Sequence, residues 1–422
     1  MFRITLASLL LVFTYVPAVL GQVAECVADK IAIKSPDELK ARLPNLESVL
    51  VEGMDLTSIG LQALRHSKAH CAVFLGNTLN EDQKVLLKRA GATVVDSPFQ
   101  TPYAPFRTIL YSQSELETVN KATGLTLDET IYEHFKKFGK IPSNLLEAQS
   151  RGLHDQSIDN ALLSRVAQCR APTCLGVIGI TGGSSVKATD AAYEQAARLA
   201  YRLGSKYLVA TGGGPGIMEA ANLGALMSGH TEQELLDAIA QLKAAVPTDP
   251  NDPIASAHYL TVARHVRDQY AAGSTSSLGV PTWFYGSEPT NVFATDIAKY
   301  FSNGIREERL LEKSRRGVIF VFGSAGTRQE IFMTAAQNHY ATFGQCAPMV
   351  FLGNRFVVEY AAVQAAADAA AAASKNPTFY GDLIAKVSTA DEAFAFIENH
   401  PPYGVDKANA CIRPASSQPL NM

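Results

Sequence analysis

The sequence predicts an α/β chain built on a doubly wound, Rossmann-like parallel sheet, with a smaller α/β domain ahead of it. Three observations carry that expectation. Short apolar runs alternate with longer stretches whose apolar residues recur at helical spacing, the pattern of successive β-α units. Several runs are apolar throughout, as strands covered on both faces require. Three of them end in glycine-rich loops, which places small, permissive residues at one edge of the sheet.

The elements follow in order. Arg3 precedes an apolar run over 4–20, and the polar Gln22 and Glu25 come after it. Val19 and Gly21 are small enough to flank a cleavage site, so residues 1–21 read as a secretory signal peptide. Pro17 and the modest length argue against a membrane span. The expectation is a protein of the secretory pathway or outside the cell, with no stable membrane insertion; the alternative is cytoplasmic. Residues 22–145 read as a small α/β domain, with strands at 48–51, 72–75 and 93–95 and a helix at 80–90. A helical connector follows at 146–173, carrying His154-Asp155 as a helix cap or a catalytic pair.

The main domain is expected over 174–400, before a tail at 401–422. Its strands are read at 175–180, 206–211, 282–285, 317–322 and 348–352. A helix over 190–203 buries Ala192, Ala196, Leu199 and Leu203 on one face and ends at Gly204. Further helices are read at 217–228, twice between 291 and 315, at 328–340, and over the alanine-rich 357–374.

Composition narrows the function. The chain is 47% hydrophobic with a formal charge of −3 and no basic stripe, so a nucleic-acid partner is not expected. Small phosphorylated ligands need no excess charge, because backbone N–H groups can hold them. Six cysteines allow pairing, and Cys169 and Cys174 are close enough for a small loop; free thiols are equally compatible. No zinc-ribbon spacing exists. His66 and His70 stand four apart without the glutamate of a zinc protease, so no metal and no other cofactor is expected.

The three loops are Gly182-Gly183-Ser184-Ser185, the run 212–219 and the run 323–330. Missing Cβ atoms let backbone approach an anion, and a helix N-terminus adds favourable partial charge. Other schemes fit worse. No P-loop lysine is present. The dinucleotide fingerprint fails at Ile217, and the serine-hydrolase elbow fails at Phe322, two places before Ser324.

Gly-Gly-Gly-Pro-Gly-Ile-Met-Glu-Ala-Ala-Asn at 212–222 resembles the first signature of the LOG (Lonely Guy) family. The run 323–330 is similar to its second, Pro-Gly-Gly-x-Gly-Thr-x-x-Glu, and 300–308 looks like its arginine-bearing helix. The likeness covers about 170–355, and the N-terminal unit looks like the extra domain of longer bacterial members. Such proteins are often labelled lysine decarboxylases, but no motif for a pyridoxal-binding lysine is present.

The resemblance implies hydrolysis of the base–ribose bond of nucleoside 5′-monophosphates, cytokinin riboside monophosphates among them, by a homodimer or larger assembly. It implies catalytic Glu330 and Arg306, and substrate contacts from Gly183, Ser184, Gly212, Gly213, Gly214, Gly216, Glu219, Gly323, Ser324, Gly326 and Thr327. Base contacts are expected from 254–275. Glu330 falls one helical turn beyond Thr327, so loop and carboxylate share a helix end. Glu219 reads foremost as a structural group bonded to its own loop, while Met218 and Asn222 either line the site or pack. The chain departs from the family at Phe322 (for proline), Ser324 (for glycine) and Glu307 (for lysine), and Arg309 rivals Arg306. These departures motivate an alternative: a nucleotide-binding or sensing protein without catalysis.

Overall fold

The computed structural model describes residues 30–412, apart from 34, 98–99, 250–251, 287–289, 374–377, 407 and 409. The expected signal segment, 1–21, lies outside the described residues, as does the end of the tail. The described residues form two compact units.

The first unit takes the described residues up to Ile109 together with Ile141–Ser157. Its strands β1 (Ile31–Ile33), β2 (Val49–Glu52), β3 (Val73–Leu75) and β4 (Thr93–Val95) form a parallel sheet in sequence order. Helices α1 (Pro36–Arg42), α2 (Leu61–Arg65) and α3 (Glu81–Arg89) connect them. The first strand escaped the sequence reading because three residues between lysines make no recognisable run. Two further helices, α4 (Gln113–Leu116) and α5 (Leu127–Phe138), belong to the second unit, and α6 (Leu145–Val166) begins in the first and ends in the second. His154 and Asp155 are buried in the middle of α6, so they cap nothing.

The second unit holds a seven-stranded sheet, parallel at every pair. Its strands are β5 (Val177–Thr181), β6 (Leu208–Thr211), β7 (Ser277–Gly279), β8 (Asp296–Ile297), β9 (Val318–Phe320), β11 (Met349–Leu352) and β12 (Ile384–Val387); β10 (Gln345–Cys346) instead pairs antiparallel with β13 (Tyr403–Gly404). The helices are α7 (Ala191–Gly204), α8 (Ile217–Leu226), α9 (Glu232–Ala245), α10 (Pro253–Gln269), α11 (Asn303–Lys313), α12 (Ala325–Tyr340), α13 (Val357–Ala372) and α14 (Ala390–Asn399). Alternate residues of β11 serve opposite faces: Val350 and Leu352 join one apolar cluster, Met349 and Phe351 another. The architecture is therefore the α/β, Rossmann-like one expected, with the five inner strands buried on both sides.

Three local expectations are corrected. Residues 282–285 form no strand beyond one bridge from Thr282 to Tyr300. Trp283 is buried there instead, stacked on Phe301 at 4.6 Å with its indole N–H donated to Asp128. The strand is β7, whose Ser277 and Gly279 gave no apolar run. Between 291 and 315 there is one helix, α11, preceded by the two-residue β8. Gly204 lies inside α7 and is needed for close helix packing, since a Cβ there would come 2.1 Å from Ser228 Oγ and 3.0 Å from Ala225 Cα of α8.

Disulfides join Cys169 to Cys174 and Cys346 to Cys411, with Cα separations of 4.9 and 6.0 Å. The free-thiol reading does not hold for these four. Among the described residues, no helix is long and apolar enough to cross a membrane, and no cluster of three or more His, Cys, Asp or Glu could hold a metal ion.

Candidate active site

The chain winds from β5 through β6 and β7 to β8, then returns to place β9 on the other flank of β5. Open α/β sheets hold ligands where such a reversal leaves a crevice beyond the carboxyl ends of the strands. The glycine loops follow β5, β6 and β9, and their backbones touch. Gly183 N–H donates to the Phe322 carbonyl at 2.6 Å, and Ile217 N–H to the Gly183 carbonyl at 3.1 Å. Gly216 has φ +73°, and a Cβ there would stand 2.4 Å from the Gly183 carbonyl oxygen. A Cβ on Gly323 would meet Thr327 Oγ1 at 2.2 Å. These positions leave no room for a side chain.

The loops differ in what they open. Residues 186–190 separate the first loop from α7, whereas α8 and α12 start directly from Gly216 and Ser324. Neither N-cap supplies a side-chain hydrogen bond, while four other described helices close their first turn with a capping box. Apart from Ile217 N–H, which the Gly183 carbonyl takes, the first-turn amides of α8 and α12 have no side-chain cap and can face an anion. Ser324 and Gly326 are exposed at the rim; Gly323 and Thr327 are buried beneath it.

The triple-glycine turn is clamped from below. Gly213 N–H donates to Thr211 Oγ1 (3.0 Å), whose hydroxyl donates to Asn222 Oδ1 (2.7 Å). The Asn291 amide donates to the same Asn222 oxygen and to the Gly214 carbonyl, both at 3.0 Å. Asn222 is therefore part of the clamp, and Met218 packs on Gly212. Asn291 was not anticipated; its one sequence signal is a polar residue heading the apolar run 292–294.

One guanidinium links this turn to the predicted carboxylate. Arg306, on α11, donates from Nε to the Val280 carbonyl (2.6 Å) and from Nη2 to the Gly212 carbonyl (3.1 Å). Its Nη1 stands 3.9 Å from Glu330 Oε1. Arg309 turns elsewhere, to Asp159 (2.7 Å) and Glu312 (2.9 Å). Glu330 is 7% exposed. Burial pushes its pKa up to about 7; Arg306 and the Thr181 hydroxyl pull it down and Glu307 pushes it up. That hydroxyl lies near enough to act on Glu330 but makes no well-aligned hydrogen bond to a protein group.

The departures have visible consequences. Glu307 is buried and accepts from Gln329 Nε2 at 2.5 Å. Phe322 is exposed, with the Arg355 guanidinium 5.1 Å over its ring. Arg355 also donates to the Gly323 carbonyl at 3.3 Å, so a second cation stands at the third loop. Nothing in the sequence marked this arginine, which follows β11 as an isolated charge.

Beside the first two loops lies a cavity of about 470 Å³ that includes Ser184, Gly216 and Glu219 but neither Glu330 nor Arg306. Ser256 and Tyr259 line it, within the segment expected to meet a base. Glu219 does not bond its own loop: Tyr193 and Tyr259 hydroxyls donate to its Oε1 at 2.8 and 2.5 Å. Burial raises its pKa, against the pull of these two phenols.

No family model matches the chain, and no curated protein matches it. Among solved structures it is similar to the Moco carrier protein from Chlamydomonas reinhardtii, at 14% identity and a TM-score of 0.33, over 53% of this chain and 96% of that one. It is similar also to the molybdenum cofactor binding protein from the phototrophic bacterium Rippkaea orientalis, at 12% identity and a TM-score of 0.32, over the same shares.

Proposed function

We propose that this chain hydrolyses the N-glycosidic bond of nucleoside 5′-monophosphates, releasing free base and ribose 5-phosphate, as its resemblance to the LOG family implies. The observation that carries the reading is Arg306, which spans from the Gly212 carbonyl to Glu330 and joins the phosphate-type loops to a buried carboxylate. The 5′-phosphate is held by the first-turn amides of α8 and α12. As the bond from C1′ to the base lengthens, positive charge grows on the ribose ring. Ionised Glu330 stabilises that charge, water delivers its hydroxyl to C1′, and the departing base takes the remaining proton. A panel of nucleoside monophosphates with detection of ribose 5-phosphate tests this. AMP is expected to turn over far faster than adenosine, which lacks the anion; equal rates would remove the phosphate from the argument.

Ser324 at the rim, and the two carbonyl bonds that occupy Arg306, favour a second reading: a binding or sensing protein that holds the nucleotide intact. Saturable nucleotide binding without base release would select it. The homo-oligomer implied by the resemblance belongs to the proposal, as does a secreted location, which the two disulfides support because such bonds persist in oxidising compartments.

A further inference from the structure

The main chain of Glu330 is fixed, but its carboxyl group is not held by what has been described so far. Thr334 Oγ1 donates to the Glu330 carbonyl at 2.8 Å, which anchors the helix alone. Glu330 Oε1 stands 3.9 Å from Arg306 Nη1, too far for a direct hydrogen bond, and that guanidinium is committed to the Val280 and Gly212 carbonyls. A carboxylate that acts on one carbon atom must keep one orientation.

Strand alternation brings a partner to it. Ile178 and Ile180 of β5 join the apolar cluster that takes in α7 and α8, so Gly179 and Thr181 face the opposite side of the sheet. That side belongs to α11 and α12. A Cβ on Gly179 would come 2.6 Å from Ser314 Oγ, at the C-terminal cap of α11. Phe320, which pairs with Thr181, clusters with Ile331 of α12. Thr181 is 2% exposed, and its hydroxyl, shut off from solvent, has no well-aligned hydrogen-bond partner among the described residues. Such a group is costly, and valine would fill the same space without it. The polar group within its reach is the Glu330 carboxyl.

We infer that Thr181 is a positioning residue for Glu330: its hydroxyl donates to one oxygen of the ionised carboxylate from the strand side and leaves the other oxygen facing the ribose. The inference rests on the hydrolytic reading for what Glu330 does, and adds what holds it. A hydroxyl hydrogen rotates to suit its acceptor, so it turns to Glu330 when the carboxyl loses its proton. The charged and titratable groups that face this carboxyl are Arg306 and Glu307 of α11 and Tyr285 after β7, and a change at Thr181 leaves all three in place.

The test compares Thr181→Val and Thr181→Ser with wild type on two readouts. One is turnover of AMP. The other is the titration of the Glu330 carboxyl itself, followed by its infrared absorption and assigned by its loss in Glu330→Gln. Valine keeps the shape and removes the donor, so its melting temperature is expected to hold or rise. Its kcat is expected to fall about tenfold or more at a nearly unchanged KM, the scale of one hydrogen bond to a charged group. The titration midpoint should move up by about one pH unit, because the charged form has lost its donor. Serine is expected to restore both. A midpoint that stays put in Thr181→Val, a kcat that does not fall with it, or a serine variant no better than valine would each overturn the inference. A midpoint that rises with valine and returns with serine, in a protein that releases no base from AMP, would uphold the contact and remove the hydrolytic reading instead.

Discussion

At the scale of the residue, the decisive group is Glu330. A buried carboxyl with a pKa near 7 is neutral below that value and charged above it. Only the charged form stabilises a growing positive centre, so the rate is expected to rise as pH climbs through about 7 and to level beyond it. A profile flat through that range would separate the titration of Glu330 from catalysis. Glu330→Gln is expected to cut kcat by about 10²–10³-fold, the scale of one lost transition-state contact. The thermal midpoint should hold or rise, because the amide avoids burying a charge. A variant as fast as wild type would take Glu330 out of the mechanism. Arg306 was legible only beside a rival: the register of the family resemblance left Arg309 open as well, and what separates them is the reach to the Gly212 carbonyl, which no linear pattern records.

At the scale of the element, the glycine loops separate steric need from mere composition. Gly216 sits at positive φ with backbone in the path of any Cβ, whereas a Cβ on Gly326 would meet nothing within 4 Å. Gly216→Ala is therefore expected to cost more than about 1 kcal/mol in urea unfolding, and Gly326→Ala to change stability by no more than about 0.5 kcal/mol or to raise it slightly. Equal losses would mean that the loop relaxes around both. The loops at β5, β6 and β9 were readable because each is a contiguous run after an apolar strand. The clamp beneath them was not: Asn291 reaches Gly214 across 77 residues and Asn222 across 69. Likewise β7 hid behind Ser277 and Gly279, while the aromatic run at Trp283 imitated a strand because buried stacking and β-pairing favour the same residues.

At the scale of the whole molecule, two carboxyls couple stability to pH. Glu52 in the first unit and Glu330 in the second are both raised from 4.5 to about 7 by burial. Between those values the folded chain binds more protons than the unfolded one, so stability falls as pH rises through the interval and stays lower above it. Glu52→Gln should flatten that fall, measured as the melting temperature across the interval; an unchanged slope would mean that Glu52 ionises normally. The disulfide from Cys346 to Cys411 acts through the unfolded state. It closes a separation of 65 residues and ties the chain after β13 to β10, beside Asn338 near the C-terminal end of α12, whose opposite end begins at the third glycine loop. Replacing both cysteines by alanine is expected to lower unfolding free energy by about 2–4 kcal/mol, through regained freedom of the unfolded chain. The Glu330 and Arg306 geometry should survive, so nucleotide turnover below the melting transition is expected to stay near the wild-type rate. If turnover fell while unfolding free energy did not, the bridge would be holding the site itself, and its stabilising role would have to be given up.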